Sequence, residues 1–312
     1  MQNASELESF PSFCTLPLRN PAGHKGSFGH VLSVCGCERY PGAAVLAACG
    51  AVHCGAGLVT AAFPRAAYAA IAPQLAAAPL LPLPGNRQGT LHLSALPALR
   101  AALTGKTAVL LGCGLGLNAD TKAITAALLQ ETTLPLVLDA DGINAIAAHR
   151  NEEGKPSFNL SQANARAVRV LTPHPGEMAR LLGCSVAEVE ARREPIAREF
   201  AEKHHVVLVL KGAKTVVAAP GRDPHTCTMP PNTGLAKGGS GDLLAGMTAS
   251  LLAQGMPPFE AACAAVELHA RTAARAARRF SARGITATDC VDELKELLSY
   301  FECVFLVPFF TI

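Results

Sequence analysis

The stretch Val168-Arg169-Val170-Leu171-Thr172-Pro173-His174-Pro175-Gly176-Glu177 runs from a short apolar segment, through a loop stiffened by two prolines, into a turn that carries an acid. Residues 168–171 read as a buried strand and 176–182 as the helix that follows it. Working outward, the same pattern recurs. Apolar runs at 31–35, 58–63, 108–111, 135–138 and 206–210 are bounded by Gly or Pro, and helical segments at 42–54, 120–130 and 141–149 lie between them. This alternation implies an α/β fold with a largely parallel sheet covered on both faces.

Toward the C-terminus the pattern changes. Ser185-Val186-Ala187-Glu188 is a capping-box sequence, and Pro195 should break its helix and start a second one through Lys203. Residues 215–219 and 226–229 alternate around Pro220-Gly221-Arg222-Asp223 and predict an antiparallel hairpin appended to the sheet. Helices are expected at 243–254, 259–280 and 289–298. No linker, low-complexity run or repeat divides the chain.

Half of the 312 residues are hydrophobic and 16% are charged, which excludes a disordered chain. Lys and Arg are scattered at a net charge of +3, so nucleic acid is not expected as a partner. The basic cluster from Arg271 to Arg279 falls on a predicted helix beside Glu267 and reads as a solvated face. Eleven Cys and a start without a basic or apolar signal segment point to reduced thiols in the cytoplasm. Cys35 with Cys37, and Cys49 with Cys54, lack a second ligand pair at zinc spacing and read as small buried hydrophobes. The apolar stretch 301–312 is too short to cross a bilayer as a helix, so no membrane association is expected. A terminal strand or a subunit contact suits it, with a disordered tail as the alternative.

The segment richest in chemistry is Asn232-Thr233-Gly234-Leu235-Ala236-Lys237-Gly238-Gly239-Ser240-Gly241-Asp242, which leads straight into an apolar helix. Successive N–H groups at such a turn, with the positive end of the helix, suit a phosphate. Asp242 beside that anion makes sense as a base toward an attacking hydroxyl or as a group that helps to hold magnesium. Read alone, the turn is equally a plain helix cap. His174 can donate to a substrate amide or phosphate, or be a loop histidine bonded to backbone. Lys211, Gly212, Ala213, Lys214 and Thr215 begin where a strand ends and suit a nucleotide phosphate or ribose.

Asp139 and Asp141, with Asn144, stand at another strand end, where a hydrated magnesium ion or a substrate hydroxyl can be received, or where Asp141 simply caps the next helix. Gly112-Cys113-Gly114-Leu115-Gly116-Leu117-Asn118 has neither dinucleotide-fingerprint nor Walker spacing, but can contact substrate. Near the N-terminus, His24-Lys25-Gly26-Ser27-Phe28-Gly29-His30 leads into the first strand, and Pro41-Gly42-Ala43-Ala44 opens a helix; small residues there permit close ligand approach.

Taken together, His24-Lys25-Gly26, Pro41-Gly42-Ala43-Ala44, Asp139-Ala140-Asp141-Gly142, Thr172-Pro173-His174-Pro175-Gly176-Glu177, Lys211-Gly212 and Gly239-Ser240-Gly241-Asp242 resemble the NAD(P)H-hydrate dehydratase family over roughly residues 20 to 300. The resemblance implies a ribokinase-like three-layer α/β/α sandwich with a mostly parallel central sheet. It also implies ADP-dependent dehydration of the S-epimer of hydrated NADH or NADPH, with release of AMP and phosphate, ATP being the donor in many eukaryotic members. Magnesium is the implied cofactor, its ligands unassigned, and a homo-oligomer, specifically a tetramer, the implied assembly.

Carried over by position, Ala43 or Ala44, Gly114, His174 and Asp242 would contact the hydrated dinucleotide. Lys211, Gly212, Ala213, Lys214, Thr215, Gly239, Ser240 and Gly241 would contact the adenine nucleotide, with Asp242 catalytic. The expected layout is an N-terminal extension at 1–22, one domain at 23–300 and an apolar tail at 301–312. Many bacterial relatives also carry an N-terminal epimerase domain; with so few residues before His24, a separate epimerase is expected. Ser27, Lys214 and Lys237 depart from the usual pattern, and Lys237 is expected to modulate phosphate affinity. A small-molecule kinase of the same fold, acting on a vitamin precursor such as hydroxyethylthiazole or pyridoxal, fits the Gly-rich turn equally well, but the Pro-His-Pro-Gly-Glu loop favours the dehydratase.

Overall fold

A computed structural model describes Pro11 and residues 14–149, 151, 160 and 167–306, with side chains described as far as residue 299. Its strands are β1 (His30–Val34), β2 (Leu58–Pro64), β3 (Leu80–Leu83), β4 (Ala108–Leu111), β5 (Leu136–Leu138), β6 (Arg169–Leu171), β7 (Val207–Leu210), β8 (Val216–Ala218) and β9 (His225–Thr226). They form one nine-stranded sheet in the order β3-β2-β1-β4-β5-β6-β7-β8-β9. Pairing is parallel from β3 to β7, and antiparallel from β7 through β8 to β9.

The α-helices are α1 (Pro41–His53), α2 (Tyr68–Ile71), α3 (Leu96–Ala102), α4 (Ala119–Glu131), α5 (Asp141–Ala147), α6 (Pro175–Leu182), α7 (Val186–Ala191), α8 (Arg193–His204), α9 (Ser240–Ala253), α10 (Pro258–Gly284) and α11 (Ala287–Leu306). Alternate residues of each strand face opposite layers. Val31, Ala108, Leu110 and Val137 join one core with residues of α1, α9, α10 and α11. Leu32, Val109, Leu111 and Leu138 join the other with residues of α3 through α8. The architecture is therefore the expected three-layer sandwich, and each of these Val and Leu side chains contributes about 1.5–3 kcal/mol by leaving water.

Most of the expected strands and helices form within a few residues of their predicted limits, but the last helix, expected at 289–298, runs to Leu306. β3 escaped the sequence because Pro82 sits inside it, and Pro is tolerated there only because the strand is at the sheet edge. Ser185 accepts from the Glu188 N–H as the capping box requires, and the two short helices meet at Arg192. Helix α10 loses helical geometry at Ser281, with φ of 70°, next to the predicted end at Phe280.

Several expectations need correction. Residues 301–306 continue α11 rather than forming a strand, and 307–312 lie outside the described residues. Cys14 is fully buried in the core and Arg19 donates to the Gly55 carbonyl, so the described part of the extension is joined to the domain. Arg271 is not solvated. It lies one turn beyond Glu267 on the inner side of α10, and the two form a buried pair to which His225 and Thr228 also contribute. Arg275 and Arg279, farther along, pair with Glu293. Cys35, Cys37 and Cys54 are buried as expected, whereas Cys49 is only half-buried; no helix among the described residues is long and apolar enough to cross a membrane.

Two glycines set the depth of the layer that carries the Gly-rich turn. A Cβ on Gly246 of α9 would lie 2.1 Å from the Ala47 carbonyl oxygen of α1, and one on Gly50 would lie 2.5 Å from that of Leu243. Only glycine allows these backbones to touch, so the N-terminus of α9 is held against α1 and the sheet.

Candidate active site at the carboxyl ends of the central strands

Strand order reverses between β1 and β4, and open parallel sheets bind ligands at such a switch point, beyond the carboxyl ends of the strands. The Gly36 N–H donates to the Cys113 carbonyl there at 2.7 Å. A Cβ on Gly114, whose φ is +59°, would stand 2.6 Å from the Ala43 Cβ, so these two expected substrate residues adjoin at the switch point. Ala44 is buried and packs on Gly36, which leaves it a packing residue. His24, Lys25 and Gly26 precede β1, at the amino edge of the sheet, and His24 caps a single turn of 3-10 helix; they are away from this site.

Asp139 follows β5 through a turn in which Ala140 has φ of 48°, a conformation unfavourable for a residue with a Cβ. The Asp139 side chain is 2% exposed. Its Oδ1 accepts from Thr172 Oγ1 at 2.7 Å and from Lys211 Nζ at 2.7 Å, and the Cys113 thiol donates to Oδ2 at 3.6 Å. Contact with Cys35 and burial raise the pKa of that thiol well above its usual value, so it stays protonated. Asp141 neither caps α5 nor stands free. It accepts from the Gly116 N–H at 2.8 Å and from Asn144 Nδ2 at 3.3 Å, tying the 112–118 loop to α5.

His174 caps α6. Its Nδ1 accepts from the N–H groups of Gly176 and Glu177 at 3.0 and 3.3 Å, and Glu177 Oε2 accepts from the His174 N–H at 2.8 Å. The ring proton therefore belongs on Nε2, 3.3 Å from Glu177 Oε1, on a side chain that is 50% exposed. Burial lowers the pKa of His174, with the charges of Lys211 and Arg180 acting the same way, so the ring is neutral. Burial raises Glu177 to about 7, and the charge of Asp139 adds to this against the pull of Lys211.

The Lys211 N–H donates to the Pro173 carbonyl at 2.9 Å, which locks the loop after β7 to the loop after β6. Burial alone would lower the pKa of its ammonium, but the carboxylates of Asp139 and Glu177 outweigh that and raise it. Arg193, at the start of α8, supports the loop from beneath: Nη2 donates to the carbonyls of Leu210, Lys211 and Lys214 at 2.8, 3.0 and 3.2 Å. A Cβ on Gly212 would meet that guanidinium at 2.6 Å. Ala213 and Lys214 are exposed at the loop tip, while Thr215 Oγ1 donates to the Gly212 carbonyl at 3.4 Å. On the sequence expectation that this loop takes the adenine nucleotide, replacing Arg193 with Met should loosen it and raise KM for the nucleotide by about tenfold, or ~1.4 kcal/mol, with little change in kcat. Steady-state kinetics with varied nucleotide reads this directly, and an unchanged KM would contradict the supporting role.

The Gly-rich turn ends at Gly239, whose φ of +90° only glycine adopts readily, and α9 begins at Ser240 with no side-chain cap. Its first N–H groups and the positive helix end thus form an anion cradle. Ser240 Oγ lies 3.2 Å from Nε2 of His269, a buried ring whose pKa burial lowers to about 4. A Cβ on Gly241 would stand 3.1 Å from Lys211 Nζ, so the turn and the lysine are in close approach. Asp242 lies one residue on. Its carboxyl oxygens, the Cys113 sulfur and those of Asp139 include one atom each within 4.8 Å of one another. Burial raises Asp242 to about 7, helped by the charge of Asp139 and opposed by Lys211. Lys237 points elsewhere: its amine donates to the carbonyls of Arg283 and Ile285, closing the end of α10, so it does not reach the anion cradle.

The cluster does not suit a magnesium ion held directly by protein. Magnesium takes hard oxygen ligands, whereas here a protonated thiol and an ammonium share the space, and the oxygens of Asp139 and Asp141 already accept from protein donors. Sequence reasoning missed Arg193, Thr172 and His269 as parts of this site. Thr172 stands in the strand-end loop without a sequence signal for its role, and nothing near Arg193 or His269 in the chain marks them.

Residues 31–296 match the family described as NAD(P)H-hydrate dehydratase. The chain is similar to a bifunctional NAD(P)H-hydrate repair enzyme of Moorella thermoacetica, 38% identical over 288 residues, covering 92% of this chain and 52% of that protein. It is also similar to an ADP-dependent (S)-NAD(P)H-hydrate dehydratase of Neisseria meningitidis serogroup B, 38% identical over 251 residues, covering 80% of this chain and 78% of that one. The chain spans about half the length of the bifunctional curated relatives it matches. Among solved structures, the ADP/ATP-dependent NAD(P)H-hydrate dehydratase of Bacillus subtilis, co-crystallized with ATP/Mg2+, superposes with a TM-score of 0.77 at 30% identity, covering 93% of this chain and 95% of that chain.

Proposed function

Because this chain belongs to the NAD(P)H-hydrate dehydratase family, with its ribokinase-like fold, we propose that it dehydrates the S-epimer of hydrated NADH and NADPH at the expense of ADP, releasing AMP and phosphate. The observation that carries this reading is the meeting, at the carboxyl ends of the central strands, of an uncapped helix N-terminus, a half-buried lysine and an aspartic acid raised to about 7.

Hydroxide is a poor leaving group from an sp3 carbon, so the substrate hydroxyl is first phosphorylated. Its oxygen forms a bond to the terminal phosphorus of ADP as the bond to AMP breaks, and Asp242 takes the hydroxyl proton. The N–H groups at Gly239, Ser240 and Gly241, with the Lys211 ammonium, stabilise the charge on the transferring group. Phosphate then departs with the C–O electrons, a proton leaves the adjacent carbon, and ring conjugation is regained. Ala43, Gly114 and His174 contact the dinucleotide, and the loop of Lys211, Gly212, Ala213, Lys214 and Thr215 takes the adenine nucleotide. Magnesium, the expected cofactor, would supply positive charge to the nucleotide's phosphates without a direct ligand from this cluster. ATP is the alternative donor, and the reaction belongs to the cytoplasm, in a homotetramer.

The test is to supply hydrated NADH, ADP and magnesium and to follow the absorbance of reduced nicotinamide. An ADP-dependent gain is expected; recovery no faster than the enzyme-free blank refutes the proposal. Light scattering of the same preparation tests the tetramer.

A further inference from the structure

We infer that Asp139 is a positioning residue for phosphoryl transfer, which with Thr172 holds the Lys211 ammonium against Gly241 so that the cation meets the group delivered to the turn. The inference rests on the function proposed above. Asp139 is too enclosed to meet substrate, and both its oxygens are engaged, Oδ1 by Thr172 and Lys211 at 2.7 Å each and Oδ2 by Cys113 at 3.6 Å. Lys211 differs: its side chain is 17% exposed, and an ammonium has three donors, of which Asp139 takes one. The remaining hydrogens are those a phosphoryl oxygen can use.

Gly241 completes the geometry. A side chain there would press on Nζ at 3.1 Å, so the lysine and the anion cradle share one space because residue 241 is glycine. Three strand ends converge to fix the lysine: β5 supplies Asp139, β6 supplies Thr172, and β7 runs into Lys211, whose N–H is tied to Pro173. The grouping of Cys113, Asp139 and Asp242 looks like an incipient metal site, but Lys211 already provides the positive charge a metal would bring. Asp139 thus acts through Lys211.

A double-mutant cycle tests this, with Asp139→Asn, Lys211→Met and the double variant assayed with ADP and hydrated NADH after thermal melts confirm folding. Each single change is expected to lower kcat by about 100-fold, the scale of losing one donor to a developing anion, with KM for hydrated NADH moving far less. The double variant should stay within about threefold of Lys211→Met alone, because groups acting as a unit do not multiply their losses. Losses that multiply to about ten-thousandfold, or an Asp139→Asn enzyme with full kcat, would overturn the inference.

The pH profile adds a readout that a purely structural role would leave still. Asp242 is faced by Asp139, Asp141, Cys113 and Lys211, so Asp139→Asn should move the acid limb of kcat to lower pH and Lys211→Met should move it higher. Limbs that stay put would count against it. If Asp139→Asn does not fold, Thr172→Val carries the comparison, and its loss must vanish in the Lys211→Met background. A wild-type enzyme with no ADP-dependent turnover would refute the proposed function and not this arrangement.

Discussion

Asp242→Asn is expected to lower turnover by about 10²–10⁴-fold while ADP still binds, and to make the protein more stable above neutral pH. Asn keeps the shape of the side chain and removes the capacity to accept a proton that the proposed mechanism assigns to Asp242. Burial first, then the charge of Asp139, raises Asp242 from the usual value of 3.8 to about 7 despite Lys211. As a base it must be ionised, so activity of the wild type should climb as pH rises through about 7. The stability effect has the opposite sign. The folded-state pKa lies above the unfolded one, so the native chain retains a proton that the unfolded chain releases, and this contribution is complete below about 4 and lost as pH rises through about 7.

At pH 8 the buried carboxylate is therefore a liability that the amide removes, worth on the order of 1–4 kcal/mol. Melting temperatures of the two proteins should diverge between acid and alkaline buffer, the variant gaining, while calorimetry with ADP shows retained binding. A variant with wild-type turnover would remove Asp242 from the chemistry.

Glu267→Gln should destabilise the protein by about 3–5 kcal/mol, because it removes the carboxylate of a buried ion pair whose other member is Arg271. Glu267 is fully enclosed and accepts from Arg271, His225, Thr228 Oγ1 and the Thr228 N–H, joining the β8–β9 edge to α10. Burial would raise its pKa, but these donors prevail and hold it at about 2, below the ordinary 4.5. The contribution is thus present above about 4.5 and lost as pH falls through about 2. Denaturant titrations at pH 7 and pH 3 should show the gap between wild type and variant shrinking in acid. A loss at pH 7 of about 1 kcal/mol, the worth of an exposed pair, would contradict the assignment.

What the chain disclosed by itself were features with a local period or a local breaker. β4 appears at its predicted limits because Ala108, Val109, Leu110 and Leu111 are all buried and bounded by Gly112. Helix α1 is announced by Pro41 at its start. The Gly-rich turn was legible because glycines before an apolar helix have few other uses, although the chain could not say whether a side chain would cap it. Features set by meetings distant in sequence stayed hidden. Arg193 supports a loop some twenty residues on. Arg271 seemed solvated because its cluster is charged, but its position four residues after Glu267 turns it toward the hairpin. Lys237 seemed destined for phosphate by its place beside Gly238, yet the end of α10 offers it two carbonyls. Asp139 and Asp141 are neighbours in sequence with separate tasks, one facing Lys211 and the other pinning Gly116.

Phosphoryl transfer before loss of water is read most plainly from the product stoichiometry with hydrated NADH, ADP and magnesium, followed by phosphorus NMR alongside nicotinamide absorbance. One AMP and one inorganic phosphate are expected for each NADH recovered, with all three lost together in Asp242→Asn. AMP formed with a stable phosphorylated substrate and no NADH would mark a kinase, and NADH recovered without AMP would mean that phosphoryl transfer at this turn is not how the water is removed.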